Sequence, residues 1–452
     1  METALAELQS NLSCVASHTA HCLGHCRGVQ WQAETMRILS ETPADMLTDR
    51  TQWMDDLRKY EAGEDVSPYS ARPMNLTILA LKRPEPLAAL AFRTESIYPN
   101  STLINGWRSE ASLFRRYEVE GPAPLQSGKL DLAFIVVVLL PLFLLILSFD
   151  VISQERAAGR LSLILVQGGT INALTWARIV AVAIPLCLVC CLGVVFAGIW
   201  FDAAIVDVIY WLAGIAIYTV FWASVAAWLA VRFTSPDMGA LAVLASWSML
   251  VVLIPSFSQF AAQAIYPMPS RVTYLSESRD AEAESRLNVT QRAEMFMAEH
   301  PGQGRVSDDA VPGFYRTTYL SNLDINLATR KVSSGFERQQ EAQRELVSFT
   351  RLFSLATSID QAFQQASGTG PIRAAEFRNE ARHHLRDLPE IIGPATVSRA
   401  RLISQEAEAI PEFELSDRKF TSVAWMRICW ILLLAVPITI FATYLARKGP
   451  QV

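Results

Sequence analysis

Charge vanishes from the chain in five long stretches: Leu132–Phe149, Ile179–Phe201, Val208–Val231, Met238–Phe257 and Ile428–Ala446. A helix needs about 20 apolar residues to cross the roughly 30 Å hydrocarbon core of a bilayer, and each stretch is long enough or nearly so. The pattern therefore predicts membrane-spanning helices. Prolines at 141, 185, 255 and 437 lie inside them and predict kinks, which a bundle tolerates when neighbours satisfy the freed carbonyls.

The polar remainder reads differently. Apolar positions recur at helical spacing in AEAESRLNVTQRAEMFMAEH, in RKVSSGFERQQEAQRELVSFTRLFSLATSIDQAFQQA and in IRAAEFRNEARHHLRDL, with turns expected at Pro301–Gly304, Gly368–Pro371 and Gly393–Pro394. Residues 258–420 should form a folded helical cap. Residues 31–131 are mixed, with helix-like stretches WQAETMRILS and TQWMDDLRKYEA, and read as a small folded region or half of one. The apolar patch LTILALKRPEPLAALAF is interrupted by Lys82, Arg83, Glu85 and two prolines, so it cannot span as one helix.

Composition sharpens the class. With 51% hydrophobic residues and a mean hydropathy of +0.23, part of the chain belongs in a membrane. A net charge of -5 and no basic cluster with interleaved aromatics argue against a nucleic-acid partner. The seven cysteines do not form a secreted disulfide framework. Lys and Arg concentrate on the cytoplasmic side of short connections. Arg156, Arg160 and Arg178, then Arg232, then Arg447 and Lys448 all fall at one end of the spans, whereas the connection Phe201–Asp207 is acidic. The loop 150–178 is thus expected inside and residues 258–420 outside, in a multi-pass protein of a cell inner (plasma) membrane. The same orientation puts residues 31–131 outside, which calls either for a translocation pathway that carries a long N-terminal tail or, the favoured expectation, for a further span upstream of Met1.

Most sites that could carry chemistry have bland readings. Residues 1–30 form an atypical segment in which His18, His21, Cys22 and His25 would share a helical face suited to a transition metal. The spacing fits no standard zinc finger, and no metal site is assigned. Glu380, His383, His384 and Asp387 read as a solvated helix face, because di-iron chemistry needs a second Glu-x-x-His pair. Cys187, Cys190 and Cys191 read as small apolar residues. Asp207 is expected at a wet helix end, and Arg427 as an interface anchor. No phosphate-binding loop, H-E-x-x-H or G-x-S-x-G motif occurs, so no catalytic residue is named, and if the chain moves anything uphill its energy must come through a partner.

The loop after the first span is the exception. A helix over 152–167 would carry Glu155, Arg156, Gly159 and Arg160 on one face, with Ala157, Ala158, Leu161, Ile164 and Leu165 opposite. The string FDVISQERAAGRLSLILVQGGTINALTWARI resembles the signature of type-2 ABC transporter permeases: an acidic residue, E-R-x-x-G-x-L, an apolar run, then a basic residue opening the next span. Asp150, Glu155, Arg156, Gly159, Leu161 and Arg178 occupy those places. YPMPSRVTYL, LFSLATSIDQAFQQASGTG and the large segment before the last span are similar to a bacterial permease subfamily with a C-terminal domain of unknown function. The resemblance implies that the loop couples the spans to a separate ATP-binding cassette subunit, with ATP bound there and no cofactor on this chain. It also implies pairing with a second permease copy or paralogue.

The sequence thus predicts an all-α polytopic membrane protein: an N-terminal segment (1–30), an extracytoplasmic region (31–131), four spans with a coupling helix (132–257), a helical extracytoplasmic domain (258–420), and a last span with its tail (421–452). Its expected role is the permease subunit of an ABC exporter. The alternatives are a membrane-anchored ligand-binding or sensing protein and an intramembrane enzyme.

Overall fold

The structure is a computed structural model, describing residues 50–444 except 68, 93–98, 111, 115–129, 234, 267–275, 277–278, 281–282, 284–288, 302–312, 351–353, 417–428, 431–432, 434–435 and 442. The His/Cys-rich segment, Arg427 and the tail lie outside the described residues, as does much of the last span.

Among the described residues, four helices are long and apolar enough to cross a membrane: Leu132–Arg156, Ile171–Trp200, Ile205–Arg232 and Pro236–Ile265, spans one to four. The third is their axis, because 72% of its apolar window is buried against 22% for the second and 11% for the fourth. Tyr210, Trp211, Tyr218 and Trp222 on it are almost wholly buried. Spans one and two pack against it along their length.

Proline shapes two of these helices. Span one begins as a short turn Leu132–Phe134, widens into a π-helical turn Ile135–Leu139, and resumes as α1 (Leu140–Ser148). Pro141 has no N–H and its ring crowds the carbonyl four residues back, that of Val137. Neighbouring side chains serve the carbonyls there: the Tyr218 hydroxyl donates to Val137 O at 3.0 Å and Trp247 Nε1 to Val138 O at 3.1 Å. Two short helices follow, α2 (Val151–Ala157) and α3 (Arg160–Val166), and spans two and three are α4 (Ile171–Trp200) and α5 (Ile205–Arg232). Span four repeats the device, with a π-helical turn Ser248–Leu253 between α6 (Pro236–Trp247) and α7 (Ile254–Ile265), and Pro255 just beyond it. By contrast, α4 runs unbroken through Pro185. Ser224 on α5 meets Thr439 of the last apolar run, oxygen to oxygen at 2.6 Å.

The remaining described residues form a cap. Helices α8 (Val289–Glu299), α9 (Phe314–Thr350), α10 (Leu355–Ala366), α11 (Pro371–Val397) and α12 (Ser404–Glu408) follow in order. The turn at Gly368–Pro371 forms as expected, with Gly368 at φ +64° and Pro371 opening α11. The expected turn at Gly393–Pro394 does not: α11 continues through Pro389 and Pro394, and Gly393 is pressed against Phe296 and Tyr319, so tight packing overrides the local breaking signal. The long helical pattern 330–366 is broken before α10, where Ser354 Oγ accepts from Thr357 N.

A small antiparallel sheet joins Ile78–Leu81 to Ser101–Ile104, with Ile78 opposite Ile104. No strand is expected there from the sequence pattern. The alternating burial of Ile78 and Ala80 against Leu79 and Leu81 is a period-two signal masked by the surrounding apolar patch. Trp53, Leu57, Met74, Ile78 and Ile104 share one core with Phe377, Leu385 and Ile392, so two segments far apart in sequence fold as one body.

A charge knot holds them. Glu110 is only 7% exposed and takes two bonds of 2.9 Å from Arg386 and one of 3.2 Å from Arg330, while its backbone N–H donates to Asn326 at 2.7 Å. Burial pushes the Glu110 carboxyl up, but the hydrogen bonds and charge of Arg386 and then Arg330 outweigh it and leave it below its usual value. A carboxylate whose pKa is lowered on folding stabilises above its unfolded value and loses that contribution as pH falls through the folded one. Glu110→Gln should therefore cost on the order of 1–3 kcal/mol near neutral pH. In thermal unfolding of the detergent-solubilised chain, its deficit from wild type should shrink below about pH 4, the ordinary carboxylate range.

Candidate functional site

Span one bends at Phe149–Asp150 and continues as α2. Asp150 holds the bend: its backbone carbonyl accepts from Gln154 N at 2.9 Å and Ser153 Oγ at 3.1 Å, and its carboxylate takes the Gln154 side-chain amide. Val151 and Ile152 are buried. The chain then reverses twist at Gly159, whose φ of +69° suits glycine, and α3 begins. Gly168, at φ +84°, and Gly169, which abuts Ile164, close α3. Thr170 Oγ1 accepts from Ala173 N at 3.1 Å and caps α4.

The single helix expected over 152–167 is therefore two short helices. Five residues along a straight helix lie about 140° apart, so Glu155 and Arg160 could not meet on one. The left-handed Gly159 turns Arg160 back over α2, and its Nε donates to Glu155 Oε2 at 2.8 Å. Arg178, two turns into α4, donates to the other carboxylate oxygen. Glu155 was expected on the charged, water-facing side; instead its side chain is 4% exposed, paired with the Arg160 and Arg178 side chains, which are themselves 61% and 50% exposed. A carboxylate so shielded is tolerated because it is paired on both oxygens. Arg160 is the member of this clasp that the sequence motif does not mark: residues five apart do not meet on a straight helix, and the left-handed glycine between them brings the pair together.

The remaining motif residues divide the work. Leu161 is buried with Val151, Ile152 and Ala230, and Ile171, Leu174 and Val231 pack against them, so α3 is tied to span three as well. Arg156 is exposed and forms no ion pair among the described residues. Leu163, Leu165 and Val166 on α3 are 58%, 43% and 85% exposed. The structure thus brings Glu155, Leu161 and Arg178 together with Arg160, sets Asp150 and Gly159 at the two bends, and leaves Arg156 at the surface.

Elsewhere the bland readings meet the structure as follows. Glu380, His383 and Asp387 line the open side of α11, and His384 lies edge-on to Phe413 at 5.9 Å. Cys187 and Cys191 approach to 3.9 Å between sulfurs, with Cys190 buried. Asp207 is 7% exposed rather than wet, in the first turn of α5 where the helix dipole favours a carboxylate. Among the described residues no three His, Cys, Asp or Glu side chains gather to hold a metal ion.

Fold and loop together define a multi-pass membrane protein with a clasped helical finger at one end and a helical cap at the other. Residues 271–416 match the family described as Domain of unknown function (DUF3526), which covers most of the cap and none of the finger. Neither curated proteins nor solved structures give a match.

Gly159 supplies a direct check of the finger. A Cβ there would meet nothing within 4 Å, so substitution costs only the left-handed backbone, about 1–2 kcal/mol for Val and less for Asn. Hydrogen exchange of 155–166 should rise sharply in Gly159→Val, stay near wild type in Gly159→Asn, and leave α5 unchanged in both.

Proposed function

We propose that the chain is the membrane-spanning subunit of an exporter driven by a separate ATP-binding cassette subunit, which docks on the finger formed by α2, α3 and the start of α4. The observation that carries this reading is the height of an exposed apolar ridge. α4 has 30 residues and is about 45 Å long, longer than a roughly 30 Å hydrocarbon core requires. Phe196 and Trp200, stacked at 5.8 Å, suit the interfacial aromatic belt at the cap end. Counting about 20 residues back from Trp200 reaches Val180, so Arg178 falls at the opposite headgroup level. Asp150, at the end of span one, falls there too. The finger then lies beyond the bilayer, and Leu163, Leu165 and Val166 face water rather than lipid.

Exposed apolar side chains rimmed by charge mark a protein contact. Arg156, Arg160, Arg178 and Arg232 at this end support a cytoplasmic side by the positive-inside rule. The chain's sequence offers no phosphate-binding loop of its own. The Glu155 clasp would then make the finger stiff: a push on α3 passes through Arg160 and Glu155 to Arg178 in span two, and through Leu161 to Ala230 in span three. A second permease copy or paralogue would complete the assembly, and the cap would lie outside the cell.

Affinity capture of the full chain from native membranes should recover an ATPase. Leu165→Asp with Val166→Asp should reduce its recovery about tenfold or more, as expected for central contacts of an interface. Glu155→Lys, which opens the clasp that shapes the finger, should lower recovery of the ATPase and lose stimulated ATP turnover. Capture without any ATPase, or turnover indifferent to these changes, contradicts the proposal and favours an anchored binding protein.

A further inference from the structure

The cap reaches into the bundle through α10. Leu355, Ala356, Ile359, Ala362, Phe363 and Ala366 on one face of this helix belong to the core of the spans, although the helix lies within the cap sequence. Its polar side carries Asp360 and Gln364, joined at 2.7 Å. The Phe363 ring lies flat on Trp211 of span three, with centroids 4.0 Å apart and planes 5° apart. Gly214 creates the space: a Cβ there would stand 2.8 Å from Phe363 Cε1 and 3.2 Å from Ile359 Cδ1.

Where α10 sits is informative. It touches span three and the π-helical turns of both span one and span four. Each of those turns precedes a proline, and the carbonyls of Val137 and Val138 in the first are served by side chains of other spans. Such sites bend at little cost, because a side-chain donor can be exchanged where a helical N–H cannot. The seat is also imperfect. Trp211 is fully buried, yet its indole N–H has no hydrogen-bond partner among the described residues, an arrangement that disfavours the closed contact. At its far end α10 leads into Gly368, whose left-handed backbone sits flush against Glu85.

We propose that α10 is a gate that closes the cap end of the bundle, and that spans one and four release it by bending at the π turns before Pro141 and Pro255. The gate rests on the exporter reading, since a release step needs something to drive it. It makes the cap a moving part of transport, held shut by Phe363 on Trp211 and by Ile359 over Gly214.

The test is disulfide formation between Gly214→Cys and Ile359→Cys in the complex captured from native membranes, with parent cysteines as background. Because a Cβ at 214 crowds Phe363, a second measurement on the unsubstituted complex, hydrogen exchange of residues 355–366, which should rise when the gate is released, guards against a variant that fails to fold. Resting complex should cross-link readily. Complex trapped with ATP and vanadate should cross-link about tenfold less, as expected when the closed population is displaced. If the ATPase is present and active but cross-linking is the same in both states, the helix is a fixed strut and the gate is wrong while the exporter reading stands. If no ATPase is recovered, the exporter reading fails and the gate falls with it.

Discussion

A carboxylate survives burial only when its charge is fully answered, and Glu155 is answered twice. Arg160 and Arg178 approach its two oxygens from different helices, so the end of span one, the short α3 and span two are fixed by one side chain. The left-handed Gly159 brings Arg160 round, and the buried Leu161 keeps α3 from swinging away from Ala230. Take the carboxylate away and two guanidiniums lose their common partner. A finger of two helices of seven residues each has little intrinsic helical stability, so it depends on this clasp for its shape.

The same economy runs through the spans. In hydrocarbon every backbone polar group needs a partner, and Pro141 leaves span one short of a donor at the fourth carbonyl before it. Tyr218 meets that need at Val137 and Trp247 serves the next carbonyl, that of Val138, and together they lock spans one, three and four at a common level. α10 packs against that level from the cap side, while the clasp grips the opposite end of the bundle. Span three takes part in both, through Trp211, Gly214 and Tyr218 at one end and Ala230 at the other. A displacement of the finger and a displacement of the gate therefore share one rigid element.

Long uncharged runs announced the four spans, because bilayer thickness acts on length and polarity, which a sequence carries openly. The cap helices were legible from their spacing, and the stop at Gly368–Pro371 from its residues. What escaped was decided by distant contacts. Phe296 and Tyr319 close on Gly393, and α11 continues as a helix through Pro394 against every local signal. Strand Ile78–Leu81 was hidden by a partner some twenty residues away. At the site the residues Asp150, Glu155, Arg156, Gly159, Leu161 and Arg178 stood in a readable motif, but their roles did not. A uniform helix turned Glu155 outward, whereas one residue at φ +69° folds its partner over it. The membrane seat of α10 was equally invisible, since an amphipathic helix announces an apolar face without saying what covers it.

The central claim is that the finger carries an ATP-binding partner, and the contact itself can be read. A photo-crosslinking amino acid at Val166, the most exposed large apolar residue of α3, can be irradiated in native membranes and its adduct identified by mass spectrometry. The account predicts an adduct with a nucleotide-binding ATPase, lost when Arg160 and Glu155 are both replaced by alanine. An adduct with lipid alone, or with a protein that binds no nucleotide, contradicts it.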